Sequence, residues 1–333
     1  YDCIKGLIDI DEKTFNKFIV EYGDILFQRS SETFEDIGRA NVYLDKEHSA
    51  TFGGFVIRGK KISDYNPLFF RYLLCTHNAR KQTVRMGAGA QHYNIGQEGL
   101  EKICLYFPCL QEQQKISDFL SAIDNKIAAQ NKIISDLKVL KKELCNKVFS
   151  KGSAVRLGDF IEEVTTRNKS NSCENVLSVS NKMGFIKQSE QFEDRTVASE
   201  NKSNYKVVTE GCFAYNPARI NVGSIALLST QIGIISPMYV CFKAKSALDS
   251  EYLNFYYQSG FFYKELQKKL EGSVRQCLTY ENMSEILIPY VGIEEQKAIA
   301  ATLNKFATLI ANEEKYLKSL QKQKSYFLNA MFI

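Results

Sequence analysis

The side chains best placed to do chemistry are planar hydrogen-bonding groups set beside glycine turns. In the first half of the chain Gln28 and Arg29 follow a β-rich run, and Arg39 follows Gly38. Arg80, Lys81 and Arg85 share one helical stretch, and Gln91, His92 and Asn94 lie in the glycine-rich stretch Met86 to Ile95. The second half offers Lys182, Lys187, Asn216, Arg219 and Asn221, then Arg275 with Gln276. Guanidinium and ammonium groups pair with anions, and planar guanidinium and amide groups make paired hydrogen bonds to other planar groups. Gln28 with Asn216, and Gln91 with Gln276, occupy matching places in the two halves and are the stronger candidates. An exposed Arg or Lys also serves as a plain solvated charge. Gly87, Gly89 and Gly272 suit either a close backbone approach to a phosphate or an ordinary tight turn.

Bond-making chemistry is not set up. The phrases FGGF and GAGA lack the G-x-x-x-x-G-K-[ST] pattern, so no nucleotide site follows. No acidic cluster stands in a nuclease arrangement, and Ser, His and Asp are not spaced for acyl transfer. Nine cysteines contain no C-x-x-C pair, and with only three histidines, His48, His77 and His92, no metal or cofactor is implied. Asn216-Pro217-Ala218-Arg219 comes near the Asn-Pro-Pro-aromatic motif of amino-methyltransferases, where an amide and a carbonyl hold the target amine and a ring stacks on the flipped base. Here Ala218 replaces the second proline and Arg219 the ring, and no glycine-rich cofactor loop opens a strand-to-helix unit. The chain therefore reads as non-catalytic.

The elements that must position these groups are organised by an internal duplication. Leu110 to Phe149 and Ile293 to Phe332 align without a gap at a constant offset of 183. In the first copy Ile116, Leu120, Ile123, Ile127, Ile134, Leu137, Leu144 and Val148 trace a heptad seam. The second repeats it as Ile299, Leu303, Phe306, Ile310, Leu317, Leu320, Phe327 and Met331. Polar residues interrupt both seams at matching places, Gln130 with Glu313 and Lys141 with Lys324. Each copy predicts one long helix whose narrow apolar stripe needs another helix. Forty residues span about 60 Å of rod at 1.5 Å rise per residue. The order segment, rod, segment, rod favours antiparallel packing of the two, against separate partners for each.

Composition agrees with two globular domains on helical connectors: 333 residues, 44% hydrophobic, with 43 Lys+Arg against 38 Asp+Glu. A net charge of +5 permits a polyanion partner without demanding one. Scattered cysteines suggest reduced thiols in a cytoplasmic protein, and no apolar run is long enough for a membrane helix. The expected domains are 1–108, with strand signals at Ile19 to Val20, Asp24 to Phe27, Asn41 to Leu44 and Phe52 to Ile57 and a helical stretch from Pro67 to Arg85; the rod 109–150; a second domain 151–291; and the rod 292–333. The second domain repeats the order of signals in the first, with Gly211 to Tyr215 answering Gly23 to Phe27. Val155 to Met183 has no counterpart, so the first domain is expected to be incomplete at its N-terminus by about thirty residues, Tyr1 being an unexpected start.

The EQQK-I and EEQK-AI openings of the rods, each after a proline-containing β segment, together with the duplicated layout, resemble the specificity subunit of type I restriction-modification systems. The phrases ATFGGFVIRG (Ala50 to Gly59) and GAGAQHYNI (Gly87 to Ile95) are similar to recognition-domain phrases of that family. The resemblance covers essentially the whole chain. It implies an α+β fold with two similar target recognition domains separated by two long helices in an antiparallel coiled coil, a pseudo-twofold internal repeat. It further implies double-stranded DNA as ligand, each domain reading half of a split target, and the residues above as DNA contacts. Two modification subunits that methylate adenine and restriction subunits that cleave with ATP are the implied partners. Beside the main seam, Ile133, Tyr316 and Leu140 offer apolar surface for such partners. The alternatives are a specificity subunit for a combined methylase-nuclease and a protein-binding scaffold with assembly rods.

Overall fold

The computed structural model describes residues 8–89, 92–181, 183–188, 201–229, 232–270 and 276–332. The chain divides into two compact units, residues 1–132 with 314–333, and residues 133–313.

The first unit begins with α1 (Glu12–Phe18), capped by the Asp11 carboxylate. Short strands follow: β1 (Ile19–Val20), β2 (Ile25–Gln28), β3 (Ser30–Ser31), β4 (Ala40–Val42), β5 (Ala50–Thr51) and β6 (Val56–Gly59). Strands β4, β2 and β6 form an antiparallel sheet, with Phe27 opposite Ala40 on one side and Ile57 on the other. The helical stretch predicted from Pro67 to Arg85 is two helices, α2 (Pro67–Leu73) and α3 (His77–Arg85). Thr76 makes the break: its hydroxyl donates to the Leu73 carbonyl at 2.7 Å and accepts from the Ala79 amide, capping α3. Strand β7 (Tyr93–Asn94) and α4 (Gln97–Glu101) complete the unit before the rod α5 (Leu110–Phe149).

The second unit adds β8 (Ser153–Arg156), β9 (Ile161–Glu163), β10 (Val176–Ser180), β11 (Gly184–Lys187), β12 (Lys206–Val208), β13 (Cys212–Tyr215), β14 (Ile225–Leu227), β15 (Gly233–Ile235) and β16 (Val240–Ala244). Helices α6 (Ser250–Tyr257), α7 (Gly260–Lys269) and α8 (Tyr280–Ser284) follow, then β17 (Leu287–Tyr290) and the rod α9 (Ile293–Met331). Strands β14, β13, β16 and β9 make one sheet, and β11, β10, β15 and β12 another. Strands β8 and β17 pair antiparallel, Ser153 opposite Tyr290. The corresponding stretch of the first copy, 104–107, forms no strand; the Gln82 amide instead bonds both backbone groups of Cys104, and Tyr106 is 84% exposed.

The repeat extends to individual hydrogen bonds. Gly23 donates its amide proton to Tyr43 at 2.8 Å, and Gly211 does so to Leu228 at 2.9 Å. Tyr43 returns a bond to Asp24, and Leu228 to Cys212, so both copies contain the same hairpin frame. The rods obey the same symmetry. In the first unit Phe332, at the end of α9, meets Phe69 of α2 at 5.1 Å, and Lys324 lies over the Tyr72 ring. In the second unit Phe149, at the end of α5, meets Tyr252 of α6 at 5.1 Å, and Lys141 lies over the Phe255 ring. Every one of these residues is displaced by 183 from its counterpart. In the first unit Phe119 near the start of α5 packs on Phe327 near the end of α9, and Asp124 pairs with Lys324 at 2.6 Å. In the second, Leu144 and Phe149 share a core with Ala300 and Leu303. Within each unit the start of one rod thus lies beside the end of the other, which is antiparallel packing. Lys141 and Lys324, read from the sequence as interruptions of the seam, leave it to cover an aromatic ring.

The core of the second unit is aromatic. Phe213 and Phe242, opposite each other on β13 and β16, stack at 5.1 Å and are 0% exposed, with Tyr257 edge-on to both. Replacing Phe242 by alanine is expected to lower the unfolding free energy of this unit by about 3–5 kcal/mol, as for other buried aromatics cut back in a packed core. Urea unfolding followed by tyrosine fluorescence measures it, and a loss below about 1 kcal/mol would show that the sheet repacks around the gap.

Candidate functional site

Each hairpin frame ends in an irregular loop, and the candidate residues gather there. In the first unit the Gln28 amide donates to Arg39 at 2.8 Å and the Gly38 amide donates back to Gln28 at 3.0 Å. Gly38 sits at φ +60°, and a Cβ on it would come within 2.4 Å of the Thr83 methyl, so α3 closes directly over this turn. Beyond Gln28 the chain crosses to the glycine-rich segment: Ile95 donates to Arg29 at 3.0 Å, and β3 pairs with β7, Ser30 opposite Asn94. The Ser30 hydroxyl donates to the Asn94 side-chain oxygen at 2.5 Å. Ala88 and Asn94 exchange two backbone bonds of 2.9 and 2.8 Å. Gln28, Arg29, His92 and Asn94, far apart in sequence, thereby share one patch, with Arg29, His92 and Asn94 exposed. Beside Arg29 runs a cleft of about 800 Å³ whose wall carries Lys17, Arg58 and Glu98.

Arg39 is exposed and pairs with Asp36 at 3.0 Å. Arg80 is otherwise engaged: it donates to the carbonyls of Glu35 and Ile37 at 2.8 and 2.7 Å, fixing the loop that carries Arg39. Burial, and to a lesser degree the Arg39 charge, lower its pKa from the usual guanidinium value. Arg80 thereby anchors this loop. Lys81 and Arg85 stand exposed on α3.

In the second unit Asn216 occupies the place of Gln28, donating its backbone N–H to Ser224 as Gln28 does to Arg39. Its side chain does not share the expected role. Asn216 is only 8% exposed, and its amide oxygen accepts from the Ala218 N–H at 3.1 Å, so it builds the turn instead of facing outward. That local bond makes Asn216-Pro217-Ala218-Arg219 a turn. Arg219 and Asn221 are exposed on the loop it supports, and Lys187 is exposed at the end of β11. The Leu278 amide donates to Pro217 at 3.2 Å, the counterpart of Ile95 to Arg29, and brings the exposed Gln276 beside that loop. Counting back from this shared bond sets Gln276 opposite Tyr93 instead of Gln91. Gln91, Lys182 and Arg275 lie outside the described residues. A cleft of about 470 Å³ adjoins Gly223 and is lined by the amides of Asn181, Asn254 and Gln258 and by Tyr263.

Two residues were not singled out from the sequence. Gln113 and Gln296, 2% and 0% exposed, open the rods and bond into the domain beside them. Their signal was present in the EQQK and EEQK openings, as a polar residue held at one repeat position inside an apolar seam. The surface on offer is thus two loops bearing Arg and amide groups, each on the same frame, suited to holding a polyanion and reading planar hydrogen-bonding edges.

A family model described as the type I restriction modification DNA specificity domain matches residues 7–139 and again residues 151–322. A protein of Methanocaldococcus jannaschii assigned as the MjaX type I restriction enzyme specificity subunit is 26% identical over 349 residues, covering 97% of this chain and 80% of its own length. The MjaVIII specificity subunit of the same organism is 27% identical over 305 residues, covering 81% of this chain and 70% of its own. Among solved structures, a type I restriction-modification S subunit from M. genitalium superposes with a TM-score of 0.59 at 14% identity, covering 96% of this chain and 85% of that one. The HsdS subunit from Thermoanaerobacter tengcongensis gives 0.51 at 15% identity, covering 94% and 81%.

Proposed function

The chain belongs to the type I restriction-modification DNA specificity family, and from that premise we propose how it reads DNA. It is a DNA sequence specificity subunit, a non-catalytic member of its complex. Each domain reads one half of a bipartite target, and the rods set the unread spacer between the halves. One observation carries this reading: two copies of one hairpin frame, each ending in a loop with exposed Arg and amide groups, joined by two rods that repeat without a gap. Arg29, Arg39, Lys81 and Arg85 hold the backbone at the first half-site, and His92 and Asn94 face base edges, while the Gln28 side-chain amide donates to the Ser30 carbonyl at 2.9 Å and steadies their loop. Arg219, Asn221, Lys187 and Gln276 do the same at the second.

Chemistry comes from partners: two modification subunits that methylate adenine, and restriction subunits that translocate and cleave DNA with ATP. The rods offer such subunits Ile133, Val139, Leu140 and Tyr316, each between 47% and 57% exposed. Among the described residues no helix is long and apolar enough to cross a membrane.

The test uses the chain assembled with its modification subunits on random duplex DNA. Binding is expected to weaken linearly in log–log terms as salt rises, with a slope of about −0.9 per phosphate neutralised. Mapping of methylated adenines is expected to give two half-sites at a constant separation. Salt-independent binding without sequence preference would sink the proposal.

A further inference from the structure

A polar side chain buried at a helix start needs every hydrogen bond satisfied, and such a site is costly to keep unless the bonds fix something. Gln113 is held from three directions. It accepts from the Asn66 N–H at 2.9 Å, donates to the Pro108 carbonyl at 2.8 Å, and stands on the first turn of α5. Asn66 is the N-cap of α2, its side chain accepting from the Phe69 amide. One amide thus joins the rod, the segment that enters it and the domain helix beside it.

The second copy repeats the joint. Gln296 accepts from the Asp249 N–H at 2.8 Å and donates to the Val291 carbonyl at 2.8 Å and the Ala247 carbonyl at 3.2 Å. Asp249 is the N-cap of α6. Asn66, Pro108 and Gln113 become Asp249, Val291 and Gln296 at the constant offset of 183. The neighbouring position changes chemistry while the glutamine stays: the Asn66 side-chain amide donates to Gln114 at 2.7 Å, whereas Asp249 and Lys297 stand at the matching positions and Lys297 pairs with Glu294 at 2.9 Å.

We infer that Gln113 and Gln296 are positioning residues that fix the angle of each recognition domain on its rod, and so set how narrowly the complex selects one spacer length. They touch no DNA; they act through the N-caps of α2 and α6. This rests on the reading of the rods as the determinant of the spacer.

The experiment assembles the full chain with its modification subunits and methylates a plasmid library of random sequence, with methylated adenines mapped by long-read sequencing. The variants are Gln113→Met and Gln296→Met, which keep the side-chain volume and lose the bonds. Gln114→Ala, at an exposed position, removes a single bond of the same joint with little risk to folding. Leu120→Ala, in the rod core at 0% exposure, is the control for stability loss alone. The wild type is expected to methylate at one spacer length. Each Met variant is expected to keep both half-site sequences and raise the share of sites one base pair longer or shorter by about ten-fold or more, since two bonds are lost at Gln113 and three at Gln296 and a single one is worth about that factor. Gln114→Ala is expected to do so more weakly, and Leu120→Ala to lower Tm without broadening. A fixed wild-type spacer that stays fixed in the Gln variants, or equal broadening in Leu120→Ala, would overturn the role of the glutamines. A wild type with no fixed spacer would overturn the reading of the rods, and this inference with it.

Discussion

Replacing Gly89 by alanine is expected to abolish discrimination at the first half-site while leaving the second intact. Gly89 has φ +141°, and a Cβ there would stand 2.0 Å from the His92 carbonyl oxygen, a backbone atom. Relief requires opening the loop, which breaks the reciprocal bonds between Ala88 and Asn94 and with them the pairing of β3 to β7. Gln28, Arg29, His92 and Asn94 would then no longer share a surface. Strain of this kind costs about 1–3 kcal/mol and the lost bonds a similar amount, so binding at this half-site falls by about 100-fold or more. The measurement is competition binding by the assembled complex against duplexes altered in one half-site at a time. Loss of discrimination at both half-sites, or at neither, would contradict the assignment of separate loops to separate halves.

Deleting one equivalent heptad from each rod, Ala129 to Ser135 and Asn312 to Lys318, is expected to shorten the spacer and leave both half-sites unchanged. Seven residues of helix amount to about 10 Å, close to three base pairs of duplex. Whole heptads keep the apolar seam in phase, whereas removing one residue would rotate everything beyond it by about 100°. The deletion leaves Gln113, Gln296, Phe149 and Phe332 and their partners untouched, so each domain keeps its joint to the rod. Methylation mapping reads both half-sites and the spacer at once. An unchanged spacer in an active complex would mean that something other than the rods measures the distance.

Both experiments separate parts that the chain itself separates. The rods align residue for residue, because a heptad seam tolerates no insertion without turning its stripe out of phase. From Asn66 and Asp249 onward the domain residues that meet the rods keep the same offset of 183, and upstream of them the domains align only in the order of their signals, because a hairpin frame accepts loops of different length between the same hydrogen bonds. Gly23 and Gly211 bond to Tyr43 and Leu228 alike, although the loops differ.

The duplication, the two rods and the paired domains were legible in the letters alone. These properties are local or periodic, and a heptad is visible in one dimension. The matching of Gln28 with Asn216 was legible as position, since both follow the same strand, yet not as role. Only the tertiary structure decided that Asn216 turns inward to its own loop, that Arg80 anchors the carbonyls of Glu35 and Ile37, and that Gln113 and Gln296 are buried joints. It likewise decided the packing of Phe332 on Phe69 and of Phe149 on Tyr252. Each depends on which distant segment lies opposite a side chain, and a polar group's task is set by whether a partner or water meets it there.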